Sequence, residues 1–260
     1  MGYMGSCWAS FIARLFMGIG FLVFVFNHKQ INSFASHFKS VVISKKQSWI
    51  LFKVGLASAF QFISEASAFV VAGLMAGVFG KEQIDAHGIA LSMAAFTYMF
   101  ASGLGSTTTI RVGNYLAQHD LGQVKQAIHQ SFKLNLVIMG FMALVFISFN
   151  KFLPLIFSND SEIILITSNL LLFAAAFQLF DGSQVVAVGA LRGLEDYKYP
   201  TIIVMIGYWL VALPLCYVFA FSLHIEVYGV WLALSISLGL VAVFLFLRLQ
   251  RVLKNKFLPS

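Results

Sequence analysis

The stretch EIILITSNLLLFAAAFQLFDGSQVVAVGALR, residues 162–192, decides the fold. It opens at Glu162, closes at Arg192 and holds one charge in between, Asp181. Crossing ~30 Å of hydrocarbon takes about 20 residues of helix, so this run is long enough to span a bilayer. The rest of the chain repeats the pattern. Between Lys53 and Lys81 the only charge is Glu65. Between Asp85 and Arg111, between Lys198 and Glu226, and between Glu226 and Arg248 there is none. Lys133 and Lys151 bracket an apolar run from Leu134 to Asn150, and the segment up to Asn27 carries only Arg14. The reading is an all-α polytopic membrane protein with seven transmembrane helices.

Composition agrees. Of 260 residues, 60% are hydrophobic and 10% charged, against about 25% charged in a soluble domain. That excludes a soluble enzyme, a disordered tail and a disulfide-stapled secreted module. Cys7 and Cys216 both lie in apolar stretches and read as small apolar filler, with no disulfide framework or metal site. No phosphate loop, nucleophile elbow or His/Asp/Glu metal cluster is present, so no enzyme is expected.

The net charge of +7 reads as topology. Fourteen of the seventeen basic residues fall on one side of the expected membrane, with Lys81 and Lys151 opposite and Arg14 inside the first helix. Basic residues mark cytoplasmic loops, so the C-terminus is expected in the cytoplasm and the N-terminus outside, across a plasma membrane. Nucleic acid is not an expected partner; the lipid bilayer is. The N-terminus lacks the basic flank of a signal peptide, since Met1 to Ala13 carries no charge. The expected domains are a single helix over 1–27, a basic cytoplasmic linker over 28–48, and a helical lobe over 49–260. Within the linker Ile31, Phe34, Phe38, Val41 and Val42 stand at helical spacing among lysines, which suits an amphipathic helix on the inner leaflet or a tether between bundles.

Eight of the ten acids sit in loops or at helix ends; Glu65 and Asp181 do not. A charge in the bilayer costs ~2.5–3.5 kcal/mol on insertion scales, so it usually faces a cavity on an ion or proton path. Ser58, Gln61 and Glu65 stand at i, i+3 and i+7, with Ser64 beside them, giving an apolar helix one polar stripe. The stripe suits a hydrated cavity that binds a cation through oxygen; a protonated Glu65 held between helices is the structural alternative. Asp181 stands between Gln178 and Gln184, next to Gly182, where the helix is expected to loosen or break. Two carboxyls facing one cavity would be poised to exchange a proton for a cation, the physical basis of antiport. Gln178, Gln184 and Tyr208 are further candidate cavity-lining residues, and Tyr98, Met93 and Trp209 suit a flat cationic ligand. Arg14 is expected to be structural, and His87, at a helix start, solvated or capping. Gly73 and Gly77 have helix-packing spacing.

These residues carry a family resemblance. Phe60–Glu65, Asp85–Leu91, Ile110–Asn114, Phe177–Gly182, Gly189–Asp196 with Pro200, Tyr208-Trp209 and Leu213-Pro214 occur in order and at characteristic spacing. From about Trp49 to Arg248 the chain resembles the second half of a multidrug and toxic compound extrusion (MATE) transporter, in its NorM-like branch. The resemblance implies Na⁺- or H⁺-coupled export of amphipathic organic cations by rocking of two six-helix lobes, with no cofactor beyond the coupling ion. Glu65 and Asp181 match the positions that serve the cation. Residues 1–27 are similar to the family's sixth helix and 28–48 to its inter-lobe linker. Ala57, Gly88 and Ser92 depart from the family's usual Pro, Gln and Asn. The family has twelve helices and this chain matches seven, so the other lobe is an implied partner without which transport is not expected. A related lipid-linked oligosaccharide flippase, which would favour basic residues in the cavity, and a vestigial or regulatory seven-helix protein are the alternatives.

Overall fold

The computed structural model describes residues 2–27 and 44–257; residues 28–43, most of the expected amphipathic linker, lie outside the described residues. The architecture is all-α, with no strand among the described residues. Among the described residues, seven helices are long and apolar enough to cross a membrane. They are α1 (Gly2–Asn27), α2 (Lys45–Gly77), α3 (Lys81–Ala117), α4 (Leu121–Ser148), α5 (Ser161–Gly193), α6 (Lys198–Ser222) and α7 (Glu226–Phe257). The chain divides into two compact units, Met1–Phe52 and Lys53–Ser260.

In the first unit α1 is exposed along its membrane-length window, with Cys7 and Arg14 both on the surface. Trp8 and Phe11 stack edge to face at 5.9 Å.

In the second unit α5 is the hub. Half of its membrane-length window is buried, and it packs against α3, α4 and α7. Hydrophobicity cannot drive helices together in lipid, so close approach depends on small residues. Gly105 of α3 faces Gly189 of α5 so tightly that a Cβ on Gly189 would stand 2.3 Å from the Gly105 carbonyl oxygen. One turn on, a Cβ on Gly193 would stand 2.7 Å from Val112. Thr109 laces this seam, its hydroxyl donating to the carbonyls of Gly189 at 2.9 Å and Gly105 at 3.0 Å. By contrast α2 approaches no other helix as closely along its backbone; it is held mainly through side chains. Short connections are capped in the ordinary way: Asp120 accepts from Gln123 N–H at the start of α4, and Asp160 from Glu162 N–H at the start of α5.

Three expectations change here. First, α5 runs unbroken through Gly182. The glycine instead makes room for Asn135 of α4: a Cβ there would lie 2.6 Å from Asn135 Oδ1 and 2.8 Å from Met139 Cγ. Second, the irregular helix is α6, which widens into π-helix over Gly207–Ala212 and Val218–Ser222, around Pro214. Proline removes a donor and crowds the preceding turn, and a wider turn absorbs both effects. Third, His87 is neither solvated nor capping. It is buried, and its Nδ1 accepts from the indole N–H of Trp231 on α7 at 3.1 Å. That bond fixes the neutral tautomer with hydrogen on Nε2, which lies against α2 at Gly73. Trp231→Phe is therefore expected to leave Nδ1 unpaired and destabilise the bundle by roughly 1–3 kcal/mol. Thermal unfolding in detergent checks this, and an unchanged midpoint would show the contact to be idle.

Candidate functional site

Helix α2 turns Ser58, Gln61 and Glu65 inward because they recur at helical spacing on one face of an otherwise apolar segment. Opposite, α5 presents Phe177, Asp181, Gln184 and Arg192, and α3 presents Tyr98, Ser102, Ser106 and Thr109. The space between them forms two adjoining compartments. One, of about 190 Å³, is lined by Glu65 and Asp181 with Phe62, Phe69, Tyr98 and Phe177. The other, of about 160 Å³, is lined by Ser58, Gln61, Ser102, Ser106, Gln184 and Arg192. Phe62, Glu65 and Tyr98 belong to both walls. Together the two reach the lower end of the range for small-molecule sites.

Both intramembrane acids thus face the same compartment. Tyr208, from the π-helical part of α6, donates its hydroxyl to Glu65 Oε1 at 3.4 Å and accepts from Gln184 Nε2 at 3.5 Å. The phenol therefore links α2, α5 and α6 at one point. Asp181 is buried, and its Oδ1 has no hydrogen-bond partner. In low-dielectric surroundings a carboxyl oxygen is a strong acceptor and costly to leave unpaired. Phe69 packs on both Tyr208 and Phe177, at 5.7 and 6.0 Å between centroids, and Phe177 continues to Trp231 at 5.8 Å. The wall of the acid compartment is therefore a connected set of aromatic rings.

Not every expected residue lands there. Ser64 lies off the cavity: its carbonyl accepts from Trp209 Nε1 at 3.2 Å, beside a separate groove with Ile63, Ser67 and Met205. It stands one residue from Glu65, a rotation of about 100° around the helix, which is enough to leave the face. Trp209 goes with it, and Met93 is in the core. Gln178 lies one turn from Asp181 but inside the bundle, with both amide atoms unpartnered and outside either wall. Two features were missed. The hydroxyls of Ser102, Ser106 and Thr109 fall at i, i+4 and i+7, a second stripe that helical spacing alone could have found. Arg192, counted among the topology-setting cations, turns into the cavity, where its Nη2 donates to Gln61 Oε1 at 3.0 Å. Its signal was the eleven-residue step from Asp181, three helical turns on one face.

Comparison with known proteins fits this arrangement. The MatE family model matches residues 57–218. A probable multidrug resistance protein NorM of Brucella suis is 33% identical over 210 residues, 79% of this chain and 45% of that protein. One of Agrobacterium fabrum is 30% identical over 265 residues, covering 97% of this chain and 56% of its own length. The crystal structure of a eukaryotic MATE transporter superposes with a TM-score of 0.79 at 18% identity, over 92% of this chain and 55% of that one. The chain spans about half the length of the relatives it matches. With the family model matched over more than half of its residues, this multi-pass membrane chain belongs to the MatE family.

Proposed function

We propose that this chain is the cation-binding half of a multidrug efflux antiporter that exports amphipathic organic cations in exchange for Na⁺ or H⁺. The observation that carries the reading is the pair of acids, Glu65 and Asp181, on the wall of one aromatic compartment inside the membrane. A lone carboxyl is often structural, but two sharing a low-dielectric space favour a compensating positive charge. A proton, Na⁺ or an organic cation satisfies that demand in turn, and mutual exclusion between them is what couples the two flows. The names of the relatives, multidrug resistance proteins, support the substrate class. Basic residues concentrated on one side support a cytoplasmic C-terminus, and the bacterial relatives support an inner membrane.

Alternating access works by one body rocking against another around a midplane site. We therefore expect this chain alone to bind cations without transporting them. Two measurements test the reading. Tetraphenylphosphonium should bind the purified chain and be released by Na⁺ or by acid. Proteoliposomes holding only this chain should show no gradient-driven dye efflux. Binding indifferent to both Na⁺ and pH would defeat the antiport reading, and efflux by the chain alone would defeat the half-transporter reading.

A further inference from the structure

The two compartments differ in charge: Glu65 lines both, Asp181 only the first and Arg192 only the second. The acid compartment has aromatic walls, whereas the other is lined by hydroxyls and amides and contains the guanidinium of Arg192. Arg192 is half-buried and forms no direct ion pair with a carboxylate among the described residues, although Glu65 shares the wall of its compartment. Gln61 takes one of its N–H groups, and a guanidinium has five donors in a rigid fork. A cation that merely complemented the end of α5 would sit in solvent beyond the last turn. This one is drawn inward and held, facing Ser58, Ser102 and Ser106.

We propose that Arg192, with Ser102 and Ser106, forms an anion subsite that receives the carboxylate of a zwitterionic amphiphile. Its amine would lie against Glu65 and Asp181 and its apolar body against the aromatic wall. Planar carboxylates match the guanidinium fork in two parallel hydrogen bonds, and adjacent hydroxyls can donate to the remaining lone pairs. The shared wall at Phe62, Glu65 and Tyr98 makes the compartments one continuous space, so a single ligand can touch both ends. The subsite thus selects among cations: one with an anionic tail spans the whole cavity, and one without it uses only the acid end.

This inference rests on the drug-cavity reading, and a matched pair of dyes separates the two. The probes are the ethyl ester of a rhodamine, a permanent cation, and its free acid, a zwitterion, titrated against the purified full chain by fluorescence anisotropy. Arg192→Gln is expected to weaken the acid relative to the ester by about tenfold, the scale of one lost charge-assisted contact. Arg192→Lys should weaken the acid less, because charge remains without the fork. Ser106→Ala, which leaves the Arg192–Gln61 contact in place, should weaken the acid roughly threefold. If neither dye binds the parent chain, both readings fall. If both bind and the Arg192 and Ser106 variants shift them alike or not at all, the efflux reading stands and the anion subsite is overturned.

Discussion

Replacing Gly189 by valine is expected to abolish the folded bundle. The Cβ alone would stand 2.3 Å from the Gly105 carbonyl oxygen and 2.9 Å from its carbon, where ordinary contact begins at 3.4 Å. Neither neighbour can turn aside, since both are backbone. Relief requires α3 and α5 to separate by more than an ångström along a seam that Thr109 also ties. Separation would strip contacts from the buried heart of the lobe, and lipid offers no hydrophobic compensation. Overpacking of an ordinary core costs ~1–3 kcal/mol; a branched side chain against backbone belongs in the tail beyond ~4–5 kcal/mol. Size-exclusion chromatography and thermal unfolding in detergent are the readouts. Gly103 is the control, because a Cβ there meets nothing within 4 Å. Gly103→Ala should be neutral or stabilising by roughly 0.5–1 kcal/mol. A monodisperse Gly189→Val protein with an unshifted midpoint would show the helix seam to be looser than described.

Neutralising both acids, as Glu65→Gln with Asp181→Asn, should weaken organic-cation binding on the order of a hundredfold, the usual scale for stripping a buried charge of its partner. The binding that remains should lose its dependence on Na⁺ and on pH. Because both carboxyls line one compartment, their effects should not add. Either single variant should lose most of the affinity, and the second change should add less. Calorimetric titration of tetraphenylphosphonium against all four proteins measures this. Affinity within threefold of the parent in the double variant would remove the acids from the mechanism. Tyr208→Phe is the useful intermediate case, since it deletes one donor to Glu65 while leaving both carboxyl groups.

Much of this was legible in the sequence, because in a membrane chain the few charges carry most of the information. The spacing of Lys, Arg, Asp and Glu marks all seven helices, and the stripe through Ser58, Gln61 and Glu65 marks the inward face of α2. What escaped depends on distant partners. His87 reads as a surface residue until Trp231, 144 positions away, is brought against it. Gly182 reads as a break until Asn135 is seen to occupy the space it leaves. Ser64 leaves the cavity by helical rotation alone, but that its carbonyl receives Trp209 is a contact no local pattern announces. Arg192 was hidden differently. The rule for loop cations explained it so readily that its register with Asp181 went unread.

The glycine seam has a consequence for the acids. Asp181 belongs to α5, locked to α3 by backbone contact, and so rides on the stiffest part of the lobe. Glu65 belongs to α2, which is fastened by side chains and by a phenol borne on the widened turn of α6. The gap between the two carboxyls is thus the soft coordinate of the lobe. If the proposed exchange of ions takes place, this gap, and not the seam behind Asp181, is where the lobe should differ between a bound small ion and a bound bulky one.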